Sequence, residues 1–222
     1  MATETPTRKT NKGRDIVRFK PQGMALINSC PGYMDVFRRE GCLRFCQQLQ
    51  GHDVDITYKF VLNYDGTKSI VGDLIIPVTK QAISTTTGIP AEGERWFKGM
   101  TLDTNECGQF FKKEYQGIKL TTRAQRGYMM KDNDELLKVI QRYFTCEGRF
   151  NMVYLYHIRL LLHFTSKRAL NLPYFLYKSI GKMAGKIQAN LKSYENSLFH
   201  CVLIKLMIVK EMKKRKKTWE SF

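Results

Sequence analysis

Residues 72–99 read GDLIIPVTKQAISTTTGIPAEGERWFKG. Leu74, Ile75 and Ile76 form a short apolar strand pattern. Pro77 stops it, because proline has no N–H to give to a sheet. Thr79 then occupies a helix N-cap position ahead of Ala82 and Ile83. Its hydroxyl can accept an N–H that the first helical turn leaves unbonded. Gly88 is placed to end that helix in the left-handed conformation, and Pro90 disfavours its resumption. The next residues, AEGERWFKG, form a polar loop that carries Trp96 and Phe97.

Upstream, residues 33–50 predict a first helix interrupted at Gly41, with Leu43, Cys46 and Leu49 on one face. Residues 54–64 alternate at Val54, Ile56, Tyr58, Phe60, Leu62 and Tyr64, the period of a strand. Asp65-Gly66 is a turn, and Ser69–Ile76 reads as a strand able to pair into a small ribbon. Downstream, residues 103–116 predict a helix. Lys119–Lys131 reads as an irregular basic connector containing Arg123 and Arg126. Further helices are expected over Asp134–Phe144, over Asn151–Phe164, from Pro173 in a first turn to about Ala189, and over Glu195–Lys213. Short loops between them point to an antiparallel bundle. The expected fold is mainly α, a helical domain with one minor β-ribbon, ending in that bundle.

The 72–99 package resembles the core of a plant family related to transposable elements, the plant transposon protein family, which is similar to the plant mobile domain. The pattern is a strand, then T-x-x-x-(A/V)-(I/V)-x-x-x-(T/L)-G-(I/L)-P-x-x-G. The leading MDVFRREGCLRF and the NLPYFLYKSIGKMAGKIQ and NSLFHCVLIKLMI segments are similar to that family's first and C-terminal helices, so the likeness covers most of residues 24–222. It implies a helix rather than a strand over 54–64. It also implies one domain over 23–222, preceded by a disordered basic arm over 1–22. Family members are often longer, and the ending KKTWESF resembles a helix cut short, as in a truncated element.

The chain has 222 residues, 43% hydrophobic and 12% aromatic, enough for a folded core. Its net charge of +17 favours polyanionic partners: DNA, RNA or an anionic surface. The N-terminus lacks the apolar stretch of a signal peptide. The most apolar run, Leu198–Val209, covers about two-thirds of a bilayer span and contains His200 and Lys205. It reads as a core helix, so no membrane association is expected. The six cysteines, Cys30, Cys42, Cys46, Cys107, Cys146 and Cys201, read as free, mostly buried thiols of a reducing compartment.

No catalytic constellation emerges. Cys42 and Cys46, with Cys30 and His52, supply four zinc-type donors, but the C-x2-C knuckle is missing and apolar neighbours surround the pair. They read as buried helix thiols, and no metal or other cofactor is expected. His157 and His163 are six apart and do not share a helix face as i, i+4 ligands would. A Cys201–His157 nucleophilic pair has no strained turn behind it, so these histidines and His200 read as core residues. Asp53, Asp55, Asp65, Asp73, Asp103 and Asp132 could furnish a metal-binding carboxylate triad, yet the alternating strand–helix pattern of a nuclease sheet is missing. No phosphate-binding glycine loop is present.

The basic pentamer Lys213, Lys214, Arg215, Lys216 and Lys217 is the leading functional candidate, as a nuclear-localisation or nucleic-acid patch. Arg123, Arg126 and Lys131 are expected to add to it. Arg95, Trp96 and Phe97 form a candidate partner surface, their alternative role being a hydrophobic plug. The expectation is a non-enzymatic, nuclear, transposable-element-derived plant protein that binds nucleic acid non-specifically or docks onto a nucleic-acid complex. The alternative is a protein-interaction module using the Trp96 loop, with the basic ends serving localisation alone.

Overall fold

The computed structural model describes residues 18–19, 31–48, 53–96, 102–117, 123–146, 149–166, 169–190 and 197–220. The rest of the expected N-terminal arm, together with Cys30, His52, Phe97 and residues 119–122 of the basic connector, lies outside them. Strand β1 is Arg18–Phe19, so these two residues are not part of an irregular arm. The first helical region is broken as expected: α1 is Met34–Arg39 and α2 is Leu43–Gln48. Gly41, at φ +67°, makes the break, and a Cβ there would stand 2.8 Å from the ring Cδ of Pro90.

Helix α3 spans Val54–Leu62, with the Asp53 carboxylate accepting the Ile56 N–H at 2.9 Å. The alternating apolar pattern is not a face. Ile56 and Leu62 are exposed, while Thr57, Phe60 and Val61 point inward. Residues 68–77 are a hairpin rather than one strand: β2 is Lys68–Val71, β3 is Leu74–Pro77, and Gly72-Asp73 turns between them. Gly72 has φ +63°, the left-handed value such a two-residue turn requires. Helix α4 is Lys80–Thr87. Thr79 accepts the Ala82 N–H at 3.1 Å, and Gly88 closes the helix at φ +79°.

The helix expected over 103–116 is shorter. Helix α5 is Thr104–Gly108, started by an Asp103/Glu106 capping box. Phe111 then bridges to Met129, and this pairing holds the chain out of a continuing helix. Within the basic connector, Arg123–Gln125 is strand β4 and Arg126–Tyr128 a single 3-10 turn. Strand β4 pairs antiparallel with β5, Met152–Tyr154, so the first residues of the expected 151–164 helix are strand. Helix α6 is Lys131–Ile140, continued by a π-helical turn over Gln141–Thr145. Helix α7 is Leu155–Ser166, and α8 is Leu172–Ala189 with Pro173 in its first turn. Strand β6, Ser197–Leu198, runs parallel to β1, and α9 is Cys201–Glu220. The last helix thus begins and ends later than expected.

The fold is mainly α, and among the described residues each sheet has two strands. The closing helices do not form the expected antiparallel bundle by themselves: α6 packs on α7, while α8 and α9 each pack chiefly against α3 and α4. Gln188 of α8 donates to the Val61 and Tyr64 carbonyls at 2.9 and 2.8 Å, serving the C-terminal end of α3. Phe37, Phe45, Phe144 and Phe164 join α1 and α2 to the end of α6 and to α7, at ring separations of 4.9–6.2 Å.

The loop after α4 is bolted to the α7–α8 connection. Glu94 donates its N–H to the Ala169 carbonyl and accepts that of Asn171, each at 2.9 Å. Asn171 also caps α8 through Tyr174 N–H at 2.9 Å and donates to the Ala91 carbonyl at 2.7 Å. The Glu94 carboxylate pairs with Arg159, which is 3% exposed.

Candidate nucleic-acid interface

Helix α9 leaves the core near residue 212 and carries Lys213, Lys214, Arg215 and Lys216 exposed. Consecutive helical residues are about 100° apart, so these cations radiate around the axis rather than share one face. Two of them meet acids. Lys214 pairs with Glu211 at 2.7 Å, and Arg215 pairs with Asp73 of the hairpin turn. The Arg215 guanidinium holds Asp73 below the usual aspartate range, chiefly by its hydrogen bond. One turn earlier, Lys210 stands 3.5 Å from the Thr86 hydroxyl. Burial, reinforced by the Lys214 charge, lowers its pKa. Lys217 belongs to α9, but its side chain lies outside the described residues.

Arg123, Arg126 and Lys131 stand on different elements from this tail. Arg123 is exposed on β4, and Lys131 is exposed at the start of α6. Arg126 is not a surface cation of the same kind. Its Nε meets Asp134 at 2.6 Å, and it donates to the Phe150 carbonyl at 2.7 Å. It ties the β4–α6 junction together. Lys112, which the sequence did not single out, donates to the Gly127 carbonyl at 2.8 Å. It lines an open cleft of about 280 Å³ with Arg126, Lys131 and Asp134. The Phe111–Met129 bridge brings it there, a long-range pairing with no local signal.

The candidate partner loop divides. Arg95 is exposed, and Phe97 lies outside the described residues. Trp96 is 3% exposed and stacks on Phe175 at 6.3 Å between ring centres, with the Arg159 guanidinium 5.9 Å over its ring. Its indole is a plug and offers no stacking surface.

Cys42, Cys46, Cys107, Cys146 and Cys201 are buried thiols. Burial pushes the Cys42 and Cys46 thiols up, Cys107 to about 11 and Cys201 to about 12. These are poor nucleophiles at neutral pH. Cys201 bonds Thr57. His157 instead accepts the Tyr154 N–H at 3.2 Å and lies 3.3 Å from the Thr145 hydroxyl, so the two do not form a pair. His163 accepts the Leu170 N–H at 3.0 Å, and His200 bonds Ser179 at 2.9 Å.

The acids are dispersed as caps and turns. Asp53 caps α3, Asp103 caps α5, Asp65 accepts the Thr67 and Lys68 N–H groups, and Asp73 meets Arg215. Among the described residues no group of three or more His, Cys, Asp or Glu is gathered as a metal site. None of their helices is long and apolar enough to cross a membrane. No protein-family model matches the chain, and neither curated proteins nor solved structures yield a match.

Proposed function

We propose that this chain is a non-enzymatic, nuclear, transposable-element-derived plant protein that binds nucleic acid without sequence preference. The observation that carries this reading is the end of α9, where Lys213, Lys214, Arg215 and Lys216 are exposed in succession on a chain of net charge +17. Phosphate attraction supplies non-specific affinity, and cations spread around a helix can meet a phosphate backbone in several orientations. Arg123, Lys131 and Lys112 would add a second basic contact, whereas Arg126 is committed to Asp134. The likeness of residues 72–99 to the plant transposon protein family supports the plant and mobile-element part of the reading.

The test replaces Lys213, Lys214, Arg215, Lys216 and Lys217 with Gln. Affinity for a DNA duplex is measured over a salt series, and location is scored separately in a plant cell. Binding should weaken, and its log–log salt slope should flatten by about 0.9 for each B-DNA phosphate no longer neutralised. Nuclear accumulation should fall. Unchanged affinity and slope would remove the nucleic-acid reading.

A second reading, a protein-interaction module, has its support away from Trp96. Ile70 and Ile75, 44% and 60% exposed, sit opposite each other on the hairpin.

A further inference from the structure

Six large apolar side chains stand exposed among the described residues, and the two most exposed are Ile75 at 60% and Met212 at 54%. Ile75 lies on β3, and Met212 lies on α9, which packs against β3. The two do not form one patch: Met212 lines the groove between α9 and the hairpin, whereas Ile75 is not part of that lining. The pairing register of the hairpin explains the first. A two-residue turn makes Val71–Leu74 a hydrogen-bonded pair, so Ile70–Ile75 is the next, non-hydrogen-bonded pair, in which side chains come closer. Ser69 and Ile76 take the inward face and are buried, so Ile70 and Ile75 take the outward one. The groove between the hairpin turn and α9 explains the second. It holds about 350 Å³ and is lined by Asp73, Leu74, Met212, Arg215 and Lys216. Met212, Arg215 and Lys216 are spaced i, i+3, i+4 and share one face of α9.

The charge around this apolar floor is predominantly positive. Arg215 and Lys216 rim the groove, and Lys213 follows Met212 on α9. The acid in the groove, Asp73, is already matched by Arg215 in an ion pair exposed on both sides. An exposed pair of this kind is weak and exchangeable, so an incoming carboxylate can take over the guanidinium.

From this complementarity we infer that the groove docks an acidic protein segment bearing one bulky apolar side chain. That side chain seats on Leu74 and Met212. The segment's carboxylates meet Arg215 and Lys216. Nucleic acid uses the cations of the same helix but has no use for the apolar floor, and here the two kinds of partner separate. Docking of such a segment does not require that the protein bind nucleic acid.

The probe is a short fluorescent peptide of Asp, Glu and Ser with one central Phe, compared with its Phe→Ala version and with a DNA duplex. The proteins are the wild type and the Met212→Gln, Ile75→Thr and Lys216→Gln variants. Met212 and Ile75 are exposed, so their replacement should leave the thermal midpoint in place, which is measured alongside. The Phe peptide should bind about tenfold more tightly than the Ala peptide, the worth of burying one aromatic side chain. Met212→Gln should remove most of that advantage while duplex affinity stays within about twofold. Ile75→Thr, on the outward face of the hairpin and away from the groove, should leave both ligands unaffected. Lys216→Gln should weaken both ligands. Equal binding of the two peptides, or a Phe advantage that survives in Met212→Gln, overturns the inference. A fall in duplex affinity in Met212→Gln at an unchanged thermal midpoint overturns it as well, and assigns the groove to nucleic acid. Failure of the duplex alone to bind wild type would sink the proposed function and leave the peptide result standing.

Discussion

Gly93 shows how much one residue of the 72–99 stretch must satisfy. Its φ is +92°, and a Cβ would stand 2.8 Å from the backbone carbon and oxygen of Ala169. Backbone cannot step aside as a flexible side chain can. Gly93→Ala should therefore cost about 3–5 kcal/mol, from dihedral strain and overpacking together. Gly72→Ala, also at positive φ but facing open space, should cost only about 1–2 kcal/mol. Urea unfolding of both variants gives the comparison, and equal losses would show that the approach to Ala169 is unimportant. Trp96 belongs to the same lock. Its burial against Phe175 predicts a loss of about 3–5 kcal/mol for Trp96→Ala. Stability within about 1 kcal/mol of wild type would mean that the indole is not a core anchor.

The helices and the hairpin differ in what stops and starts them. Helix α4 is set by neighbours a few residues away: Thr79 caps it, Ser84 donates to the Ile89 carbonyl at 2.6 Å, and Gly88 turns the chain out. Thr79→Ala should cost about 1 kcal/mol, and Thr79→Ser much less. If Ser and Ala cost the same, the hydroxyl is not the cap. Helix α9 is different. Its first half is core, with Val202, Leu203, Ile204 and Met207 buried, and its end projects basic residues. Removing charge from that end should change ligand binding more than stability. The Arg215–Asp73 pair is exposed, so Asp73→Asn should leave the urea midpoint nearly unchanged.

At the scale of the whole molecule, buried thiols tie stability to alkaline pH. An unfolded cysteine ionises near about 8.5. In the native protein Cys107 holds its proton to about 11 and Cys201 to about 12, with Cys42 and Cys46 also raised, all by burial first. The native state therefore binds more protons than the unfolded state above about pH 8.5, and stability falls as pH rises through that window. Below it the contribution is complete and flat. Each such thiol adds up to about 1.4 kcal/mol of loss per pH unit. Tyr64, raised by burial and by Tyr177, joins at higher pH. Unfolding free energies measured from neutral to about pH 10 should decline in the wild type and less steeply in Cys201→Ala. A flat profile would mean the thiols are reachable by water.

The sequence by itself determined the helical class, the limits of α4 and α8, the break at Gly41 and the turn at Asp65-Gly66. Each rests on a cap, a proline or a glycine acting within a few residues. It also determined the density of charge at the end of α9, because consecutive lysines need no partner to be recognised. Only the tertiary structure decided the hairpin register and the strand at 152–154, since short apolar runs are compatible with strand or helix until a pairing partner is present. Tertiary packing also decided the fate of individual charges and rings. Arg126 is spent on Asp134, Arg215 reaches Asp73 across 142 residues, and Trp96 turns inward onto Phe175. These are long-range choices between burial and exposure, made by the energy of packing one element on another, and no local spacing records them.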